Sequence, residues 1–205
     1  MANFIKNELR VRLSPGAKRV LLDMFKIQAN KIDPAYHTKV EENPDAPVGY
    51  RLSFWNFDRP SESEMKAYQV STVGAPGGWY QWNHNHWSTK WDAMDVHGTE
   101  GVTLGAGSQA RYLVYKFTTA NSAPTRALEA MMRMFPELEY TLRWEDEAGP
   151  GGTVVGRDGF WHATDSYGPA TSHTEATDRR RLSTCECLVT GGEHTPFPDC
   201  LSDAE

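Results

Sequence analysis

The chain has 205 residues, of which 23% are charged and 39% hydrophobic, with a formal net charge of −6. That length suits one domain, or one domain with an appendage, and hides enough surface for a core without covalent staples. The acidic balance argues against a dedicated duplex-DNA binder, whose phosphate contacts need a basic surface.

From Ile5 to Leu13 the chain alternates. Ile5, Leu9, Val11 and Leu13 point one way and Lys6, Glu8, Arg10 and Arg12 the other, with Asn7 breaking the apolar side. Period two predicts a strand with one buried face. Ser14-Pro15 is expected to open a helix, the serine as cap and the proline at the first helical position. Val20, Leu21, Met24, Phe25 and Ile27 make its expected buried stripe. Residues 30–49 are polar and hold Pro34, Pro44 and Pro47, so they read as a loop. Residues 50–57 (YRLSFWNF) read as a second strand, with Leu52 and Phe54 on one face and Trp55 and Phe57 on the other.

Further on, RYLVYKFT (111–118) predicts a third strand. Ser122 is expected to cap the next helix, with Pro124 in its first turn. Leu128, Met131, Met132 and Phe135 stand at i, i+3, i+4 and i+7, a helical stripe. Pro136 ends it. LEYTLRWE then alternates Leu138, Tyr140, Leu142 and Trp144 with polar residues, a fourth strand. The order predicts an α+β fold on the ferredoxin-like βαββαβ plan, with an antiparallel sheet and helices on one face, over residues 1–162. Residues 58–110 become an insertion of about fifty residues between strands two and three, too long for a simple loop. Within it, GAGSQA (105–110) precedes a strand rather than a helix and reads as a turn, not a phosphate cradle. AGPGG turns the chain after strand four, and TVVGRDGFW adds an edge strand. Residues 163–205 read as a polar tail, either flexible or a small appendage held by Cys and His.

The insertion holds GWYQWNHNHWSTKWDAMDV (78–96), with four of the seven tryptophans. This stretch resembles the signature of the YubB-like, or Api-ninety-two-like, proteins of phages and plasmids, in which GWYxW runs into N-W-G-T-K-W-(N/D)-A. NFIKNELRV is similar to that family's opening N-W-C-x-N-x-L-x-V. FTTANSAP is similar to its F-x-T-A-W-S-P-P, which precedes a helix and an F-P-x-L turn, here Phe135 to Leu138. The resemblance spans roughly residues 2–156. Ser88 stands for the usual glycine, Ile5 for the cysteine, Asn121 for the tryptophan and Ala123 for a proline. It implies a ferredoxin-like domain and a mobile-element origin, and carries over no catalytic residues.

Four chemistries compete for the candidate residues. The contiguous His84-Asn85-His86 is not the HNH nuclease motif, whose residues are spread over a hairpin and a helix. His84 and His86, read on a strand, share a face and with Asp92, Asp95 or His97 would form a metal shell. The blander reading leaves one solvated and one hydrogen-bonded beside a tryptophan. Trp82, His84, His86, Trp87, Lys90, Trp91 and Asp92 are the candidate binding residues, for a groove or for pinning the insertion to the sheet. Lys90 is a cation–π or salt-bridge partner there. On the sheet face away from the helices, Lys6, Arg10, Arg12, Arg51, Trp55, Tyr112, Lys116 and Arg143 interleave cations with aromatics, as single-strand binders do. RYLVYKFT, however, lacks the glycines of the RNA-recognition signature. In the tail, Cys185, Cys187, His194 and Cys200 make a full tetrahedral zinc donor set, though without the usual C-x-x-C spacing.

These features lead to a phage-type accessory protein that acts by binding a host macromolecule, most readily a host protein, without catalysis and without a resident cofactor. Two alternatives stand beside it: a single-strand RNA or DNA module on the open sheet, and a small-molecule or nucleotide enzyme with a pocket at the insertion. No apolar run approaches the ~20 residues of a membrane span. MANFIKNELRV has no secretory apolar segment. With three cysteines the expected compartment is reducing cytoplasm, the host's if the gene is a phage's.

Overall fold

The computed structural model describes residues 3–33, 36, 51–69, 73–105, 108–147, 149–157 and 160–167. Within them the fold is α+β, with an open antiparallel sheet of six strands in the order β2-β3-β1-β4-β5-β6 and four α-helices. In chain order these are β1 (Phe4–Leu13), α1 (Val20–Ala29), α2 (Glu62–Tyr68), α3 (Trp79–Trp87), β2 (Met94–Gly105), β3 (Ser108–Ala120), α4 (Thr125–Met134), β4 (Leu138–Asp146), β5 (Gly151–Arg157) and β6 (Phe160–Tyr167). A 3₁₀ turn, Phe54–Asn56, precedes α2.

β1 lies at the centre, antiparallel to β3 through Leu9↔Tyr115 and to β4 through Leu9↔Leu142. Period two sets its faces. Ile5, Asn7, Leu9 and Val11 are buried, while Lys6 is exposed and Glu8, Arg10 and Arg12 are half-buried. Leu113, Tyr115 and Phe117 of β3 and Leu138, Tyr140 and Leu142 of β4 share the buried side. Leu22, Phe25 and Ala29 of α1 and Leu128, Met131 and Met132 of α4 close over it in one cluster. Phe25 sits at its centre, with its ring 5.3 Å from Phe57, 5.5 Å from Phe135 and 6.1 Å from Tyr140. α4 buries the stripe read from the sequence.

Four expectations need correction. First, residues 50–57 supply no strand among the described positions. Leu52, Phe54, Trp55 and Phe57 are all buried, so their side chains do not alternate between core and solvent. The second strand is instead 94–105, inside the stretch read as the insertion. The extra material therefore lies between α1 and β2, not between strands two and three.

Second, α1 begins at Val20 rather than at Pro15, and Arg19 stands at its cap position without a side-chain cap. Its buried stripe is Leu22, Phe25 and Ala29, whereas Val20, Met24 and Ile27 are exposed at 52%, 48% and 64%. The sequence VLLDMFKIQA is apolar on most sides, so periodicity alone admits two rotations of the helix. Third, Ser122 does not cap α4. Its hydroxyl donates to the Ser88 carbonyl instead. Fourth, TVVGRDGFW yields two strands, β5 and β6, and β6 runs to Tyr167, past position 163 where the polar tail was expected to begin.

No helix among the described residues is long and apolar enough to cross a membrane.

Candidate functional site

Three stretches singled out in the sequence, NFIKNELRV, GWYQWNHNHWSTKWDA and FTTANSAP, meet at one end of the sheet. Asn7, from the first, is buried and donates through Nδ2 to Thr119 Oγ1 at 2.9 Å. Thr119, from the third, donates to the Ser122 carbonyl at 2.8 Å. Ser122 reaches the Ser88 carbonyl of the second, and Ser88 Oγ lies 3.2 Å from Thr125 Oγ1. Lys90 N–H donates to Ala120 O at 3.1 Å, and Asn121 N–H to Asn3 O at 2.8 Å. Asn83 of α3 holds the Lys90 carbonyl at 2.9 Å, and Arg126 of α4 holds that of Asn85. These bonds satisfy backbone groups at the end of α3 and in the loops after α3 and β3, which have no partners within their own helix or strand.

Backbone conformation explains one position in this knot. Ser88 ends α3 in the left-handed region, with φ of 66°. Glycine is favoured there because it lacks a Cβ to clash.

Two of the aromatic residues of the same stretch are core, while Trp79, Tyr80 and Trp91 are half-buried. Trp87 is fully buried and Trp82 nearly so, with their rings 5.5 Å apart at 87°. Trp87 Nε1 donates to the Asp58 carbonyl at 2.9 Å, which satisfies its one polar atom. Phe54 and Tyr68 pack edge-on against Trp87 and Trp82, 5.9 and 5.5 Å away. Asp92 is a tie-point below them. It accepts from Ser53 Oγ at 2.5 Å, Phe54 N–H at 2.6 Å and Ala93 N–H at 2.7 Å. Burial, with Asp92 beside it, pushes the Tyr68 phenol up to about 12. The same two causes raise Tyr36 further, and its ring stacks on Trp55 at 4.0 Å. Both phenols are therefore neutral at physiological pH.

The two histidines part company because they sit on a helix. Residues two apart on α3 point to different sides, so the strand-based shared face for a metal does not exist. His86 lies flat on Trp82, 3.9 Å between centroids at 5°, with Nδ1 3.1 Å from Asp58 Oδ2. The Arg133 guanidinium lies 3.9 Å from the same oxygen. His84 meets the edge of Tyr80 at 4.6 Å. Its Nε2 is buried and has no hydrogen-bond partner among the described residues. Burial, then the nearby Lys90 charge, holds its imidazole below the ordinary 6.5. Lys90 itself sits 4.5 Å from the Trp91 ring centre. Among the described residues no three His, Cys, Asp or Glu side chains are grouped to hold a metal. Cys185, Cys187, His194 and Cys200 lie outside the described residues.

The open face of the sheet is charged. Lys6, Arg10, Arg12, Tyr112, Lys116 and Arg143 do occupy it, joined by Arg157. Arg51 and Trp55 do not: Trp55 is buried, its Nε1 donating to Asp33 at 2.9 Å, and Arg51 pairs its backbone N–H with Asn30. The periodicity of 50–57 misplaced both because that run is not a strand. Glu8 lies between Arg10 at 4.0 Å and Lys116 at 3.7 Å, and Glu139 between Arg12 at 2.6 Å and Arg157 at 3.3 Å. The Tyr112 ring lies over Gly101, where a Cβ would overlap it, and Arg10 covers it at 5.0 Å. A dimple lined by Glu8, Arg10, Thr141 and Arg143 has room for about one water.

Sequence reasoning missed the exposed row Val20, Met24 and Ile27, with Ile32 beyond it at 58% exposure. The available signal was that α1 carries more apolar residues than one buried stripe needs.

Comparison with known proteins adds no relative. No family model, curated protein or solved structure matches this chain.

Proposed function

We propose that this chain is a divergent YubB-like protein, a phage-type accessory factor that acts by binding a host protein rather than by catalysis. The observation that carries the binding reading is the outer face of α1. Val20, Met24 and Ile27 follow at i, i+4 and i+7 and leave an apolar row in solvent on a helix whose other side is already core. Single exposed apolar residues are ordinary, but a contiguous row on one element marks an interaction surface. An amphipathic partner groove or helix would bury it.

Two arrangements favour the family and its ferredoxin-like plan. β1-α1-β2-β3-α4-β4 is a βαββαβ order, and the central strands run β2-β3-β1-β4 with antiparallel neighbours. In addition, the three landmark stretches converge in one hydrogen-bonded knot, and the position of the usual family glycine is left-handed. The signature is therefore read as structural, which accounts for its lack of a catalytic set. The small-molecule alternative would need a pocket at Trp82 and Trp87, and those rings are packed in the core. The single-strand alternative would need Tyr112 free to stack bases, and its ring lies between Gly101 and Arg10.

The test compares capture from host extract by the natural chain and by a Met24→Glu/Ile27→Glu variant. A partner identified with the first and lost with the second, at unchanged melting temperature, supports the reading. Identical capture by both would sink it.

A further inference from the structure

The apolar row of α1 has cations at both of its ends. From Ser14 to Lys31 the chain holds Lys18, Arg19, Lys26 and Lys31 against one acid, Asp23. Arg111 takes Asp23 at 3.1 Å, and Lys26 lies 4.0 Å from Glu100, so these two charges are answered by β2 and β3. Lys18, Arg19 and Lys31 are exposed, and none of the three has an ion-pair partner among the described residues. Lys18 and Arg19 lead directly into Val20, and Lys31 follows Asn30, the C-cap of the helix. Val20, Met24 and Ile27 lie between them, over about 10 Å at ~1.5 Å per residue. This local excess of positive charge stands on a chain whose net charge is −6.

That charge selects among occupants. The complementary surface is apolar in its middle and acidic at its ends. The row runs along an i, i+4 ridge, and the element that interdigitates with such a ridge is another helix. A second copy fits poorly. An antiparallel α1 pair sets Lys18 and Arg19 of one copy against Lys31 of the other, and a parallel pair sets each cation against its own equivalent. A nucleic acid would engage the cations through its phosphates but leave Val20, Met24 and Ile27 uncovered.

We propose that the element received by α1 is an acidic amphipathic helix of the partner, its apolar residues on Val20, Met24 and Ile27 and its carboxylates on Lys18, Arg19 and Lys31. This rests on the reading of the row as a docking surface and adds the chemistry of what docks there. Rim charges of this kind govern the rate of encounter and the choice of partner more than the final affinity.

A set of dye-labelled helical peptides tests it, each of about 18 residues, a length at which isolated helices form. All carry leucine at i, i+4 and i+7, and their flanking residues are glutamate, glutamine or lysine. In anisotropy titrations with the full chain at low salt, the glutamate peptide is expected to bind about tenfold more tightly than the glutamine peptide, and the lysine peptide least of all. In roughly 0.5 M salt that preference shrinks to about twofold. A Lys18→Glu/Arg19→Glu/Lys31→Glu variant inverts the order, and Met24→Glu/Ile27→Glu weakens every peptide. Each changed position is exposed, so both variants are expected to keep the natural melting temperature. If the charge variant does not fold, the salt series on the natural chain decides. Equal binding of the three peptides overturns the acidic partner and leaves the docking reading standing. Binding that Met24→Glu/Ile27→Glu does not weaken overturns both. No binding by any peptide overturns the proposal, and so does a dimer of the natural chain that Met24→Glu/Ile27→Glu dissolves, because it gives the row to a second copy.

Discussion

At the scale of single residues, two side chains in the signature stretch make opposite kinds of statement. Ser88 is held left-handed by its neighbours, at a cost that glycine does not incur. Ser88→Gly is therefore expected to raise stability by about 1 kcal/mol, read from the urea midpoint. A loss would mean that the contact with Thr125 outweighs the backbone strain. His84 has its folded pKa lowered by burial and by Lys90. An unfolded chain binds the proton more readily, so this group contributes stability above the ordinary 6.5 that is lost as pH falls through the folded value. Between about pH 7.5 and 5 the natural chain should lose more melting temperature than His84→Gln. Parallel curves would remove His84 as the cause.

At the scale of elements, sheet strands follow their side-chain period closely. β1 buries alternate residues, and β3 and β4 bury the same face, with Val114 and Thr141 also buried on the other, because a strand with one core face leaves little freedom of register. Gly101 belongs to this scale too. It lets the Tyr112 ring lie across β2, so Gly101→Ala is expected to destabilise by about 1 kcal/mol by displacing that ring. With Tyr112→Ala already present, the same change should become neutral or stabilising, since alanine loses less backbone freedom than glycine. A double-mutant cycle in urea that shows simple additivity would contradict this coupling. The helices are less determined by their own sequences. α1 offers two apolar stripes, and only its neighbours Tyr115, Tyr140 and Phe135 select the one built on Phe25.

At the scale of the whole molecule, described residues between α1 and β2 share the core of the sheet rather than forming an appendage. Trp82, Trp87, Phe54 and Phe57 belong to the same cluster as Leu9, Phe25 and Met131. Trp87→Ala is therefore expected to cost about 3–5 kcal/mol and to lower the unfolding midpoint of the sheet and of the tryptophan fluorescence together. Separate transitions would show that the segment folds by itself.

Much of this protein was legible without coordinates. Alternation identified three of the six strands, and the i, i+3, i+4, i+7 stripe located α4. Both signals come from a period imposed on residues next to one another in the chain. The sequence also marked the residues of the candidate site, since GWYQWNHNHWSTKWDA stands out by composition alone. Only tertiary structure decided what those residues do. The second strand, the rotation of α1, the burial of Trp82 and Trp87, and the separation of His84 from His86 all depend on surfaces supplied by distant parts of the chain. YRLSFWNF has the composition of a strand, yet Asp92 captures its backbone at Phe54 and core rings close around it. A local pattern records which residues avoid water, and packing alone settles which neighbours replace it.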